Sequence, residues 1–347
     1  MSCPPYILYA GNYQDGRLQN MDINDPLGRL ATHLSDDMAA TSAIIGEQTS
    51  SPIPLAGAIT SHLFSAGGKR TRPLLLLACA RLCGYEGTLH HIMAAAAEMI
   101  HTATLLHDDV VDKSTRRRGR ETAHLLYGER EAILGGDFLL GRAFSMISAG
   151  SPESFKVMAD AAATLAEGEL HQLSLTGSPF VDEEEYFRII TAKTATLFEA
   201  VCAMGAIIAG ASPEQRQALA NFGRHFGIAF QLVDDALDYK IQNTHTGKPI
   251  GNDFREGKMT LPVILARAAG SDEERKFWDT RMIAPSRTES DFSQALEFII
   301  AHGSVEETLV RAEKHARNAE ECLAFLPHSS LREMMMEAVE SCPQRTA

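Results

Sequence analysis

The sequence has few of the features that staple or export a protein. Its 347 residues contain six cysteines (Cys3, Cys79, Cys83, Cys202, Cys322 and Cys342) and no CxxC pair, which excludes a zinc ribbon and a disulfide framework. Aromatic residues make up only 7%, with a single tryptophan. Long hydrophobic runs are absent: the longest, about residues 73–80, falls well short of the roughly 20 residues that cross a bilayer, so no transmembrane segment is expected. Positive charge is in the minority. Lys and Arg number 32 against 45 Asp and Glu, a net charge of −13, which argues against nucleic acid or an anionic membrane surface as the main partner. Residues 1–25 lack both the basic start and the apolar stretch of a signal peptide, so a reducing cytoplasm is the expected location. The 45% of hydrophobic residues is enough for a sizeable core.

Residues 1–25 read as a loose N-terminal arm, and from there the pattern is helical. Apolar residues recur at three- and four-residue spacing over 88–113, 131–149, 153–175, 183–210, 213–240 and 304–325. No hairpin signal stands out. Gly67-Gly68, Gly84, Gly150, Gly177, Gly210 and the 243–257 stretch punctuate the helices, and Ser151 and Ser212, each followed by Pro-Glu, suit helix N-termini. With no linker-like shift in composition, residues 26–347 read as one large all-α domain. The segment 271–291 reads as a charged, mobile surface helix and loop. His90-His91 reads as a surface pair at a helix start, Cys79 and Cys83 as core-facing thiols, and Met334, Met335 and Met336 as packing in the last helix.

Two acidic clusters stand out. In LLHDDVVD, Asp108 and Asp112 are four residues apart and share a helix face with Thr104 and His101. In FQLVDDALD, Gln231, Asp234 and Asp238 share another. Carboxylates on otherwise apolar helices need a partner, and hard divalent cations with oxygen ligands supply one. Two such helices facing each other would cage two or three Mg²⁺ ions, a means of holding a diphosphate. Cationic segments match this reading. Gly67-Gly68-Lys69-Arg70-Thr71-Arg72-Pro73 sets flexible glycines beside three cations, Arg116-Arg117-Arg118-Gly119-Arg120 follows the first acidic cluster, and Lys193-Thr194, Lys248 and Lys258 add more.

The ordered series GGKRTRP, HDDVVD, RRG, GDFLLGRAF, EGELHQL, KTATLFEA, FQLVDDALD and GNDFREGKMTLP, spanning residues 67–262, resembles the trans-polyprenyl diphosphate synthases, the long-chain octaprenyl and decaprenyl type above all. The resemblance implies an isoprenoid-synthase helical bundle with a central cavity, acting as a homodimer. It implies Mg²⁺-assisted condensation of isopentenyl diphosphate with an allylic diphosphate, repeated to a long chain and serving as a quinone side chain. On this resemblance Asp108, Asp112, Asp234 and Asp238 hold the metals, with Asp109 and Asp235 in support. Arg117, Lys193, Lys248 and Lys258, with Thr194 and Gln231, take the allylic diphosphate. Gly68, Lys69, Arg72, His101 and Arg118 form the isopentenyl diphosphate pocket. Gly119 fixes the register of the RRG pair on Arg117 and Arg118, leaving Arg116 as a surface charge.

Small residues at Ala103 and Thr104, five and four positions before Asp108, leave open the path of the growing hydrocarbon, which favours a long product. Phe155, Met158 and Met146 are alternative floors farther down. A short-chain synthase and a non-catalytic partner subunit are the competing readings. A His-Asp metal phosphohydrolase is disfavoured because the second acidic cluster contains no histidine.

Overall fold

The computed structural model describes residues 25–240 and 250–344. The expected N-terminal arm, apart from Asp25, and Lys248 lie outside the described residues. The helices run in chain order as α1 (Pro26–His33), α2 (Ser35–Gln48), α3 (Pro54–Ser65), α4 (Thr71–Leu82) and α5 (Leu89–Val111). A small hairpin, β1 (Arg116–Arg117) and β2 (Arg120–Glu121), precedes α6 (Ala123–Tyr127), α7 (Glu129–Ile147), α8 (Pro152–Leu175) and α9 (Glu183–Ile190). A π-helical turn, Thr191–Ala195, joins α9 to α10 (Thr196–Ile208). Then come α11 (Pro213–Leu237), α12 (Asn252–Glu256), α13 (Leu261–Ala269), α14 (Asp272–Ile283), α15 (Glu289–Ala301), α16 (Ser304–Ala324) and α17 (Ser330–Glu340). The fold is all-α; among the described residues strand is confined to the hairpin.

The helix starts follow the expected chemistry. Ser151 Oγ accepts from the Ser154 amide at 3.1 Å with Pro152 next in line, and Ser212 and Gln215 make a reciprocal capping box on α11. Apolar faces then assemble two packed clusters. One gathers α1, α2, α4, α5, α7, α10, α17 and the first half of α11; the other gathers α13 to α15 and the second half of α11, and Phe230 packs against both. The apolar stretch Glu183–Ile208 is hydrophobic because it is core: 67% of its most apolar window is buried inside the protein.

Three expectations need correction. The hairpin is real: Arg116 pairs with Glu121 and Arg117 with Arg120, leaving Arg118-Gly119, both at positive φ (51° and 76°), as a two-residue turn. Its strands are two residues each, too short to show alternation.

The 271–291 segment is not a loose surface piece. A Ser271–Glu274 capping box starts α14, and its apolar side buries Trp278 and Met282 completely against Phe254, Phe277 and Phe298. Trp278→Ala is expected to lower the unfolding free energy by about 3–5 kcal/mol, measured by urea denaturation; a change below about 1 kcal/mol would return the segment to the surface.

His90 is fully buried and His91 nearly so, because both rings turn onto Asp37 of α2, at 3.2 and 2.7 Å from Oδ1. Arg81 of α4 grips the same carboxylate through Nε (2.9 Å) and Nη2 (2.6 Å). Burial opposes ionisation of Asp37, but Arg81 and His91 hold its carboxyl well below the usual carboxylate range. A folded-state value below the unfolded one gives stability that is complete above the ordinary carboxylate range and fades as pH falls through it. Asp37→Asn should therefore cost about 2 kcal/mol at neutral pH. In urea melts taken from pH 7 to pH 2.5, the gap to wild type should narrow on the acid side; a gap independent of pH would exclude the ionised clamp.

Candidate active site

The first acidic motif occupies the C-terminal end of α5, and Asp112 is the residue that caps it. Asp108 and Asp112 are one turn apart, and Glu169 of α8 faces them. Burial, reinforced by Glu169 and Asp112, pushes the Asp108 carboxyl up to about 7, although Lys193 and Arg117 counteract it. A buried carboxylate crowded by other acids is a donor that a divalent cation relieves, so Asp108, with Asp112 one turn on, fits a hard metal ion.

Lys193 reaches this end of α5 from the π turn, a local widening that is common at functional sites. Its Nζ donates to Gln172 Oε1 at 2.8 Å and pairs with Glu169. Gly168 makes the approach possible: a Cβ there would lie 2.8 Å from both the Lys193 amide nitrogen and the Ala192 Cβ. Glu169 and Gln172 were not singled out from sequence, although they sit in the EGELHQL motif one turn apart.

The second acidic motif ends α11. Asp235 is buried and held by Tyr186 Oη at 2.6 Å and Gln231 Nε2 at 2.7 Å, while Gln231 Oε1 accepts from Thr194 Oγ1 at 2.7 Å. Burial pushes its carboxyl up to about 7 despite those bonds, with Asp234 and Asp238 adding like charge. Thr194 and Gln231, expected to touch substrate, are thus links in a chain that fixes Asp235, leaving Asp234 on the exposed side of the helix. Asp238 spans the amides of Asn252 (3.2 Å) and Asp253 (3.0 Å), one with each oxygen, and so clamps the start of α12. Its geometry is that of a support for the GND turn.

Lys258 links the two motifs. Its amide donates to the Asp253 carbonyl at 2.9 Å, and its Nζ lies 3.0 Å from Asp112 Oδ2 and 2.8 Å from Glu256. Burial works against its charge, but Glu256 and Asp112 raise its pKa above the ordinary lysine value. One cation therefore bridges the α5 acid cluster to the loop held by the α11 cluster.

Beside this acidic centre lies a cationic pocket formed by residues 67–70, the start of α4, α5 and the hairpin. Arg118, at the hairpin tip, lies against Gly68, where a Cβ would sit 2.4 Å from its Nη1, and donates to the Gly67 carbonyl. Arg72 donates through Nη1 to His101 Nε2 at 3.1 Å, stacks 4.3 Å from the Phe198 ring centre, and keeps its buried Nε without a hydrogen-bond partner. Burial, then Arg72, Arg118 and Arg117, hold the His101 pKa well below its ordinary value, so the ring is neutral and its Nε2 accepts. Lys69 follows the glycines on the same loop. Arg117 is drawn instead onto Asp109, whose two oxygens accept its Nε at 2.8 and 3.0 Å, and Asp109 is only 2% exposed. Arg116, as expected, is exposed.

Ala103 is fully buried and shares the stripe of His107, the face that α5 lays on α7. A Cβ at Gly136 would lie 2.2 Å from His107 Nε2, which shows how closely the two helices meet. Thr104 lies nearer the Asp108 stripe and is half-buried.

The known proteins that resemble this chain share its architecture. The polyprenyl synthetase family model matches residues 54–299. Octaprenyl diphosphate synthase of Escherichia coli (strain K12) is 42% identical over 312 residues, covering 90% of this chain and 96% of that protein. A decaprenyl diphosphate synthase crystal structure from Rhodobacter capsulatus superimposes with TM-score 0.89 at 44% identity, covering 93% of this chain and 100% of the other. A polyprenyl synthase from Caulobacter crescentus CB15, complexed with calcium and isoprenyl diphosphate, does so with TM-score 0.89 at 41% identity over 92% and 98% of the two chains. An acidic centre that suits a divalent cation, a cationic pocket beside it, and this likeness over nearly the whole chain lead to one assignment: the chain belongs to the polyprenyl synthetase family.

Proposed function

We propose that this protein is a trans-prenyltransferase that condenses isopentenyl diphosphate with an allylic diphosphate and repeats the step to a long-chain polyprenyl diphosphate. The observation that carries this reading is the pair of adjacent anion sites of different character. One is built on carboxylates and needs a cation to accept a diphosphate; the other is built on guanidinium groups and needs none. Two diphosphates can thus be held side by side with different partners.

In this reading Asp108, Asp112 and Asp234 hold Mg²⁺, and Asp238 positions the turn that carries Lys258. Bound Mg²⁺ would supply Lewis-acid neutralisation of the allylic diphosphate as a leaving group. Lys193 and Lys258 take further phosphate oxygens of that group, each already drawn to the site by a carboxylate that a diphosphate would replace. Lys69, Arg72, His101 and Arg118 hold isopentenyl diphosphate with its double bond aimed at the allylic carbon. The carbon–oxygen bond of the allylic substrate breaks with its electron pair on the departing diphosphate. The isopentenyl double bond then supplies the pair for the new carbon–carbon bond, and a proton leaves to the released diphosphate. No side chain has to act as a general base.

The product keeps the diphosphate that entered as isopentenyl diphosphate, so repeated elongation requires that group to move from the cationic pocket to the acidic centre. A long product suits a quinone side chain. A homodimer would cover exposed apolar residues such as Ile133 and Leu134 of α7.

The test is incubation of the purified protein with Mg²⁺, labelled isopentenyl diphosphate and farnesyl diphosphate, with the dephosphorylated products resolved by length. A ladder well beyond geranylgeranyl is expected. A stop at geranylgeranyl would keep the chemistry and overturn the long-chain reading, and no incorporation by folded protein would overturn both.

A further inference from the structure

The cationic pocket contains a buried carboxylate, Glu98, that the chemistry above does not use and that, unlike Asp109, has no arginine in an ion pair with it among the described residues. Glu98 stands on α5 three residues before His101, in the otherwise apolar run IMAAAAEMI, and is only 6% exposed. With Thr102 and Asp109 it forms the α5 side of a cavity of about 30 Å³, whose opposite side includes Gly67, Arg70 and Arg118. A buried, unmatched carboxylate is costly, so its surroundings define its role.

Burial pushes the Glu98 carboxyl up, and the charges that act against that rise are Arg70, Arg72 and Arg118. All three hydrogen-bond to neutral acceptors: Arg70 to Ser42 Oγ at 2.5 Å, Arg72 to His101 Nε2, and Arg118 to the Gly67 carbonyl. Arg117, by contrast, has its own carboxylate in Asp109. Glu98 is thus one buried acid on which three guanidinium charges act, two of them, Arg70 and Arg118, across the same cavity. Two of the three, Arg70 (φ 43°) and Arg118 (φ 51°), also occupy the left-handed region that non-glycine residues seldom adopt.

We propose that Glu98 is the built-in counter-anion of the diphosphate pocket, a positioning residue that holds Arg70, Arg72 and Arg118 together and competes with a bound diphosphate for them. The inference rests on the reading of this pocket as the metal-independent isopentenyl diphosphate site. Its consequence is kinetic. A pocket of uncompensated guanidinium groups would hold a diphosphate tightly, whereas each round of elongation requires the diphosphate to leave it for the acidic centre. Glu98 limits the affinity and takes the arginines back when the group departs.

The experiment measures inorganic diphosphate binding to the full-length protein by titration calorimetry in EDTA, where the carboxylate centre has no cation with which to bind it. Removing one nearby negative charge in Glu98→Gln should tighten binding by about tenfold. With Mg²⁺ present, the KM for isopentenyl diphosphate should fall, kcat should fall with it, the KM for farnesyl diphosphate should stay unchanged, and products should shorten because transfer between the sites slows. Glu98→Asp, which keeps the charge, should restore affinity toward wild type. A merely structural glutamate would act the other way, weakening diphosphate binding in Glu98→Gln as the pocket loosened. Weaker or unchanged binding by a variant whose circular dichroism and urea midpoint match wild type overturns the proposal. Arg118→Ala separates the two levels: if it abolishes diphosphate binding in EDTA while Glu98→Gln fails to tighten it, only the role of Glu98 falls. If Arg118→Ala leaves binding intact, the pocket reading falls and takes Glu98 with it.

Discussion

Replacing Asp108 by asparagine should reduce turnover by roughly 10³-fold while leaving the protein folded. The side chains are nearly isosteric, and Asp108 lies in the most crowded part of the acidic centre, where burial and Glu169 already push its carboxyl up to about 7. Removing its charge relieves repulsion in the free protein, so stability should hold or rise slightly. In the proposed active complex the same change would remove a hard oxygen donor from the cation site and a counter-charge from Lys193. Labelled isopentenyl diphosphate incorporation measures the loss, and urea denaturation shows that folding is not its cause. Diphosphate binding in EDTA should be unchanged, because the cationic pocket does not include Asp108. A variant that kept a tenth of the wild-type rate would exclude Asp108 as a metal ligand.

The acidic motifs were legible in sequence because four-residue spacing on a helix fixes a face regardless of what the helix packs against. Asp108 with Asp112 needs only α5 to be a helix, and α5 is one. What the spacing could not show is which acid serves which partner. Asp238 lies one turn from Asp234, and each of its oxygens also accepts from an amide at the start of α12, fourteen and fifteen residues later. Arg117 and Arg118 are neighbours in one basic run, yet the hairpin turns the first onto Asp109 and the second onto Gly67-Gly68. That hairpin gave no signal because Arg118-Gly119 is not a common turn pair and each strand has only two residues.

Partners distant in sequence account for most of the remaining differences. His90-His91 looks like a polar helix start, and only the placement of Asp37, more than fifty residues earlier, makes it a buried clamp. The π turn at Lys193 lies inside an apolar window whose period hardly changes, so it is visible only where α8 meets it at Gly168. Glu98 had a signal that could have been used: a single acid amid apolar and alanine residues is either exposed at a cost or buried for a reason.

Phenylalanine in place of Ala103 should move the product distribution from long chains to farnesyl or geranylgeranyl, the largest change in specificity expected of any single substitution. Ala103 is fully buried one turn before His107, on the face of α5 that meets α7 so closely that Gly136 has no room for a Cβ beside His107. A phenyl ring cannot stay in that seam. It is expected to swing toward the half-open face of Thr104 and Asp108, along which, in the proposed reading, the hydrocarbon grows away from the acidic centre. Overpacking should also cost about 1–3 kcal/mol in urea denaturation. The two effects are separable, because a phenylalanine at Thr104, already half-open, should shorten the product with a smaller loss of stability. If Ala103→Phe lowered stability and left the ladder intact, the ring would have wedged α5 from α7 without reaching the tail, and the floor would lie farther down, toward Met146 and Met158. If both variants shortened the product, the path of the chain would be fixed to the wall between the two α5 stripes, and the small residues at 103 and 104 would be the reason a long product can form.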